Sequence, residues 1–227
     1  MAYHHGDLAA ALVDAGLELT RGGGLEALTL REVTRRAGVS PNAAYRHFPN
    51  REALREAVAA AILARVAEGM TPVPDADAAG RLRTVGLAYV DFALAEPGWF
   101  SVAFFGGRRL GPGDVAATPA FRALADALSD LVEAGEVAAD DATSAAWSCW
   151  ATVHGFAELC LHGPLAAVPA SEQRRLAASA VDAIIAGIRS WRVREQGANA
   201  RNRGVGGSDG MPSLTRGNDC FRKGDVR

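Results

Sequence analysis

Apolar residues recur every three or four positions over most of the chain, which is the period of an amphipathic α-helix. No run of alternating β-branched residues predicts a strand. We therefore expect an all-α protein with about nine helices. The pattern places them at about 7–21, 30–37, 41–48, 51–69, 78–95, 97–105, 118–134, 141–161 and 171–194.

Short local signals mark the limits of the second and third predicted helices. Thr29 and Glu32 have the spacing of a capping box, in which the Thr29 hydroxyl accepts from the Glu32 amide and the Glu32 carboxylate accepts from the Thr29 amide. Ser40 followed by Pro41 is typical of a helix start, because proline lacks the N–H that would have no helical partner there. Gly38 is expected to end the preceding helix.

The two short helices, joined by a tight glycine turn and braced by flanking helices, predict a helix-turn-helix. Along the second of them, Ala44 and Phe48 lie four residues apart and are expected to face inward. Asn42, Tyr45 and Arg46 share the opposite face. A short helix with a polar outer face fits the major groove of DNA, which is about 12 Å wide.

The polar residues of this outer face have side chains suited to DNA. Asn42 can pair bidentately with adenine, and Arg46 can reach a guanine or a phosphate. Tyr45 and His47 suit backbone phosphates. Arg51 begins the next helix, where free amides and the helix dipole also favour a phosphate. The alternative interpretation is that Tyr45 and His47 are ordinary surface or half-buried residues and that the arginines form a solvated face.

Breaks in the helical pattern predict the domain organisation. The stretch 71–75, TPVPD, separates the first four helices from the rest, and 106–119 is expected to be a loop. The glycine-rich, basic end of the chain has no apolar period and is expected to be disordered. The predicted units are a DNA-binding domain at 1–69, a ligand-binding and dimerisation domain at 76–195, and a tail at 196–227.

Composition and charge change this picture little. The chain has 227 residues, an apolar fraction of 49% and a formal net charge of -2, which does not by itself indicate a nucleic-acid partner. Residues 29–51 nevertheless hold five arginines and a single acidic residue, Glu32. A local surplus of this kind is sufficient for phosphate contacts.

The residues of the predicted helix-turn-helix carry a family resemblance. LTLREVTRRAGVSPNAAYRHFPNREAL, residues 28–54, resembles the N-terminal domain of TetR-type transcriptional repressors, and the likeness spans about residues 3–65. AWSCWATVHGFAELCLHG, residues 146–163, is similar to the ligand-binding domain of the subgroup with a Trp…His-Gly motif. The resemblance implies a homodimer that binds a palindromic operator on double-stranded DNA and releases it when a small effector enters the C-terminal domain.

Matching this chain to the family by position implies a set of DNA contacts. Arg31, Pro41 and Asn42 are expected to face bases. Phosphate contacts are expected at Ala43, Tyr45, His47 and Arg51. Ala43 stands where a hydroxyl residue is frequent, so its contact is limited to the backbone.

The second domain is expected to supply the dimer interface and the effector pocket. The dimer surface is expected to come from the last two long helices. The helix at 141–161 is apolar all round, and the last helix continues the predicted seam of the dimer with Val181, Ile184, Ile185, Ile188 and Trp191. Gly155 would allow another helix to approach closely. An apolar pocket for a hydrophobic effector is expected between the middle helices. Its candidate residues are Tyr89, Phe92, Trp99, Phe100, Phe104, Phe121, Trp150 and His154.

Other classes of function have little support in the sequence. Cys149 and His154 are the one nucleophile and base pair worth weighing, but five residues apart on one helix they point in different directions. His4 and His5 with His47 or His162 have no metal-ligand spacing. We therefore expect no catalytic site, metal or cofactor. The remaining alternative is a dimeric small-molecule-binding protein without an operator. Without a membrane-length apolar run or paired cysteines, a cytoplasmic location is expected.

Overall fold

The computed structural model describes the backbone of residues 8–71, 75–106 and 111–204, and side chains as far as Trp191. Within these residues the chain forms ten α-helices and no strand, which confirms the predicted all-α class. The helices are α1 Leu8–Gly23, α2 Leu30–Ala37, α3 Pro41–Tyr45, α4 Arg51–Gly69, α5 Ala78–Ala95, α6 Pro97–Phe105, α7 Pro112–Ala116, α8 Pro119–Glu133, α9 Ala142–Leu161 and α10 Ala170–Gly204. Three short 3₁₀ turns occupy Leu25–Ala27, Ala139–Asp141 and Pro164–Ala167.

Two stretches differ from the sequence-based expectation. The predicted loop 106–119 contains α7, because Pro112 takes the first helical position and the Asp114 carboxylate accepts from the Gly111 amide at 2.9 Å. The last helix continues to Gly204, ten residues beyond its predicted end. The extension includes residues 196–204, which were expected to belong to the disordered tail. Residues 205–227 lie outside the described residues, and the predicted domain limits stay predictions.

Only one of the two hydrogen bonds of the α2 capping box forms. Thr29 Oγ1 accepts from the Glu32 amide at 3.2 Å, as the spacing predicts. The Glu32 carboxylate instead accepts from Arg35 Nε at 3.0 Å, and the Thr29 amide donates to the Ala27 carbonyl at 3.1 Å. The expectation that Glu32 reaches back to Thr29 was wrong, because a guanidinium one turn further on offers the carboxylate a charge-assisted hydrogen bond.

The N-terminal helices pack directly on the later ones. α4 contacts α1, α5, α6 and α8, while α1 contacts α2, α4 and α6. Gly98, in the first turn of α6, lies so close to the end of α1 that an added Cβ would stand 2.5 Å from the Arg21 carbonyl oxygen. Trp99 Nε1 donates to the Leu17 carbonyl oxygen at 2.8 Å. The start of α6 is therefore joined to the C-terminal half of α1.

Candidate DNA-binding surface and effector cavity

The backbone of α3 is set by local signals that the sequence contains. Ser40 Oγ accepts from the Ala43 amide at 3.3 Å, and Pro41 occupies the first helical position. After Tyr45 the chain continues one further turn, in which the Phe48 amide donates to the Ala44 carbonyl at 2.9 Å. This arrangement buries Ala44 and Phe48, which confirms the predicted inner face.

The opposite face of α3 points to solvent. Asn42, Tyr45, Arg46 and His47 are exposed, as are Pro41 and Arg31, whereas Ala43 is half-buried. The side chains of Asn42, Tyr45, Arg46, His47 and Arg31 have no hydrogen bond or ion pair with any residue that the structure describes. Tyr45 is one of the few exposed large apolar residues, at 52% exposure. Side chains with unused donors on an exposed helix are available to an external partner.

The arginine surplus is smaller in the structure than in the sequence. Arg35 pairs with Glu32, and its hydrogen bond holds the pKa of the Glu32 carboxyl below its usual value. Arg36 pairs with Glu18 across the interface between α2 and α1, at 2.5 Å. Two of the five cations are thus neutralised within the chain.

Arg51 has a different environment from the one expected. It begins α4 as predicted, but its Nε donates to the Leu28 carbonyl at 2.7 Å and its Nη2 donates to the Leu25 carbonyl at 3.0 Å. Two N–H donors of the Arg51 guanidinium are therefore used within the protein. Among the described cations of residues 29–51, Arg31 and Arg46 are the ones that keep the whole guanidinium unpaired.

Five of the predicted pocket residues form one aromatic cluster between α5, α6 and α9. Tyr89 Oη and His154 Nδ1 are 2.8 Å apart, and the Trp150 ring stacks on the imidazole at 5.8 Å between centroids. Phe100 and Phe104 contact Tyr89 edge to face at 5.8 and 6.0 Å. These five of the eight predicted residues therefore lie together, while their role in binding an effector stays a prediction.

Phe105 is a member of the cluster that the sequence analysis missed. It is 47% exposed and stacks on His154 at 5.8 Å between centroids. Its position next to Phe104, a predicted pocket residue, was the signal in the sequence that could have identified it.

The other three predicted pocket residues lie at the edge of the cluster or away from it. Phe121 packs on Trp150 at 5.4 Å between centroids. Phe92 and Trp99 instead stack on each other, and the Trp99 indole is directed to α1. The structure does not bring this pair into the cluster.

Two concavities adjoin these helices. An internal cavity of about 20 Å³ has room for about one water molecule, far below the 300 Å³ or more of typical ligand pockets. Its lining is Met70, Leu82, Val85, Gly86, Tyr89, Leu124, Cys149, Trp150, Val153, Val181, Ile184 and Ile185. A larger groove of about 340 Å³ lies between α4, α6 and the start of α8, and includes Arg55, Leu63, Phe104 and Thr118.

Burial determines the protonation of the polar pair inside the cluster. It raises the pKa of Tyr89 well above its usual value and lowers the pKa of His154, although Glu158 acts to raise the latter. Tyr89 therefore keeps its proton at neutral pH and His154 is neutral, and the tautomer of the imidazole determines which of the two groups donates in their hydrogen bond.

The lowered pKa of His154 predicts a loss of stability in acid. As the pH is lowered below about 6.5, the unfolded chain gains a proton at this histidine before the folded protein does. The free energy of unfolding therefore decreases as the pH decreases, until the pKa of His154 in the folded protein is reached. We expect His154→Gln, which keeps a hydrogen-bonding group beside Tyr89, to flatten the fall of Tm between about pH 7 and about pH 5. Parallel Tm curves for the two proteins would contradict this.

The cysteine of the enzymatic alternative is unsuited to nucleophilic chemistry. Cys149 is 4% exposed, and burial raises the pKa of its thiol to about 11. The thiolate is therefore scarce at neutral pH. In the described part of the chain, no group of three or more His, Cys, Asp or Glu side chains is placed to hold a metal ion. Nor is any described helix both long and apolar enough to cross a membrane.

The helix-turn-helix with its exposed polar second helix, followed by a larger helical domain, defines a DNA-binding regulator. Residues 12–58 match the model of the bacterial regulatory proteins of the tetR family, and residues 82–184 match that of the tetracyclin repressor-like C-terminal domain. Together the two models cover about two thirds of the chain. The chain belongs to the TetR family, whose members are transcriptional regulators and not enzymes.

Solved structures with this fold come from several bacteria. A protein of unknown function from Rhodococcus sp. RHA1 is 26% identical over 83% of this chain and 99% of its own, with a TM-score of 0.66. A TetR-family regulator from Streptomyces coelicolor is 20% identical over 89% of each chain, with a TM-score of 0.64.

A third structure, a TetR variant from Acinetobacter baumannii AYE in complex with minocycline, is 23% identical over 82% of this chain and 97% of its own, with a TM-score of 0.59. At these identities the last two show the fold alone. No curated protein is significantly similar in sequence.

Proposed function

We propose that this TetR-family regulator is a homodimeric repressor that binds a palindromic operator and releases it on binding a small hydrophobic effector. The observation that supports DNA binding best is the outer face of α3. Asn42, Tyr45, Arg46 and His47 are exposed on it without a partner among the described residues. Four polar side chains with unused hydrogen-bonding groups on one short helix favour DNA binding over a protein that has lost its operator.

The proposed contacts divide between bases and phosphates. Asn42 reads adenine, and Arg46 reaches a guanine or a phosphate. Arg31 and Pro41 lie on the base side. The residues expected to contact phosphates are Ala43, Tyr45, His47 and Arg51. Of these, Arg51 has a guanidinium that is turned partly toward the protein's own carbonyls.

In vitro selection tests this function and identifies the operator sequence in the same experiment. The purified protein is used to enrich a pool of random duplexes of roughly 30 base pairs, long enough for two half-sites. We expect an inverted repeat with half-sites one or more helical turns apart. Enrichment of no sequence, together with no binding to any duplex at low salt, would favour the alternative of a dimeric small-molecule-binding protein without an operator.

The outward face of α9 is the proposed dimer surface. Ser148, Ala151, Gly155 and Leu159 recur along it, Ala151 and Leu159 are exposed, and an added Cβ at Gly155 would meet nothing within 4 Å. Small residues allow a partner helix to approach closely. The seam expected on α10 needs correction, since Val181, Ile185 and Ile188 are buried against the chain's own helices.

Ala151→Arg is expected to shift the protein from dimer to monomer. In the single chain Ala151 is exposed, so the longer side chain has room and folding is retained. Between two copies it would leave a charge buried without a partner, which typically weakens association by about 3–5 kcal/mol, or more than a hundredfold. Light scattering coupled to gel filtration measures the change. Ser129→Arg, also exposed but on α8, is the matched control; a dimer in both variants would exclude this face.

The effector is proposed to act by selecting a second conformation. The cavity beside Tyr89 and Trp150 has a volume of only about 20 Å³, so a ligand of ordinary size must displace the side chains around it to enter. Phe100 and Phe104 belong to α6, which also packs on α1 and α4. Displacing α6 would therefore move the helices that carry the DNA-binding unit.

A gel shift on the selected duplex tests this step. Apolar aromatic compounds that raise the Tm of the protein are added at saturation. We expect at least one to lower the affinity for the duplex by about 5- to 150-fold. A compound that stabilises the protein but leaves this affinity unchanged is not the effector.

A further inference from the structure

We infer that Arg51 is a positioning residue for DNA recognition: its guanidinium ties the connector before α2 to the start of α4, and it acts through the placement of the helix-turn-helix, not through a phosphate. This inference rests on the proposed operator binding. It assigns to Arg51 a role different from the one that its position at a helix N-terminus suggests.

The two hydrogen bonds of Arg51 are directed at one short segment. Nε donates to the Leu28 carbonyl at 2.7 Å, and Nη2 donates to the Leu25 carbonyl at 3.0 Å. These carbonyls belong to the 3₁₀ turn between α1 and α2 and to the residue that follows it. A planar guanidinium can bond both at once, whereas a lysine ammonium is a point donor on a flexible stem.

The segment held by Arg51 leads directly into the helix-turn-helix. Leu28 is fully buried, so its carbonyl has no access to water, and its described acceptor contact is with Arg51. Thr29, the next residue, caps α2. Losing the guanidinium would leave a buried carbonyl without a partner at the start of α2.

The two hydrogen bonds from Arg51 to the Leu25 and Leu28 carbonyls, here called the clasp, close the helix-turn-helix into a ring. Arg51 follows α3 and Asn50, whereas Leu25 and Leu28 precede α2, so the bonds connect residues 26 and 23 positions apart. Both ends of the α2–α3 unit are thereby held at one place. The orientation of α3 with respect to α4 depends on this closure, and with it the direction of Asn42 and Arg46.

Salt dependence separates positioning from phosphate contact. Each lost phosphate contact lowers the slope of log K against log salt by about 0.9. A lost positioning contact reduces specific affinity while this slope stays the same. A lysine at 51 preserves the charge and the reach to a phosphate, but not the two-carbonyl clasp.

The experiment measures the affinity of full-length wild type, Arg51→Lys and Arg51→Gln for the selected inverted repeat and for a scrambled duplex. Potassium chloride is varied from about 50 to about 300 mM, and the temperature is kept well below every Tm. Arg175→Lys, an exposed arginine of α10, is the matched control.

We expect both Arg51 variants to lose roughly tenfold or more in the ratio of specific to nonspecific binding, with the salt slope of wild type. A purely structural contact would lower Tm and leave this ratio unchanged. Wild-type affinity in Arg51→Lys with a slope lowered in Arg51→Gln would overturn the inference and assign Arg51 to a phosphate.

Failure of the proposed function gives a different result. If wild type selects no duplex, operator binding itself is refuted, and the clasp is then tested by hydrogen exchange. Faster exchange of the amides of residues 25–30 in Arg51→Lys supports the clasp, and unchanged exchange refutes it.

Discussion

Asn42→Ala is expected to weaken specific operator binding strongly while leaving the fold intact. One bidentate contact to a base contributes about 1–3 kcal/mol, and a symmetric dimer makes it twice, so the loss is about 2–6 kcal/mol. This corresponds to a fall in affinity of roughly 30-fold to more than 10⁴-fold. Because Asn42 is exposed and has no described partner, its removal should not change Tm.

Fluorescence anisotropy with the selected duplex and a scrambled one measures this effect. Affinity for the scrambled duplex should be retained, since phosphate contacts supply nonspecific binding. Ser129→Ala, an exposed polar residue of α8, is the control and should bind both duplexes as wild type does. Equal losses on the two duplexes would show that Asn42 does not read a base.

Gly98→Ala is expected to destabilise the protein by overpacking the contact between α6 and α1. The new Cβ would lie 2.5 Å from the Arg21 carbonyl oxygen and closer still to that of Thr20. These are backbone atoms of α1, so relief requires α6 to move as a whole. Overpacking of this kind costs about 1–3 kcal/mol, which for a protein of this size lowers Tm by about 2–12 °C.

Gly22→Ala is the matched control for that substitution. Gly22 lies near the same end of α1, and an added Cβ there meets nothing within 4 Å. Replacement of a helical glycine by alanine should leave stability unchanged or raise it by up to about 1 kcal/mol. Calorimetry measures the Tm of both variants. An unchanged Tm in Gly98→Ala would show that α1 and α6 can shift relative to each other without loss of stability.

The helices could be predicted from the sequence because their signals are local. Thr29 and Ser40 each accept from the amide three residues ahead, as their spacing indicates, and Asn50 does the same at the start of α4. The inner and outer faces of α3 likewise follow from its period. These features depend on residues within one or two turns, which the sequence places beside each other whatever the rest of the chain does.

Contacts over long separations were less predictable. Arg51 is suited to a phosphate by its position, yet carbonyls 23 and 26 residues earlier lie within its reach. A choice between two favourable partners depends on which one the tertiary structure brings closer.

The aromatic residues show the same division between what the sequence indicates and what the tertiary structure decides. Their number and spacing indicated an apolar interior in the second domain, and Tyr89, Phe100, Phe104, Trp150 and His154 do assemble there. Nothing in the sequence separates Trp99 from this group. Its direction toward the Leu17 carbonyl follows from the crossing of α6 over α1, where Gly98 permits close approach.

The amino-acid sequence alone therefore determined most of the helical elements, the caps at Thr29 and Ser40, the polar face of α3 and the family, but not α7 or the end of α10. The tertiary structure decided which arginines stay unpaired, which aromatics surround the cavity, and that the hydrophobic stripe of α10 faces inward. The physical reason is range: periodicity and capping act over four residues, whereas the partner of a charged or aromatic side chain is set by how distant helices cross.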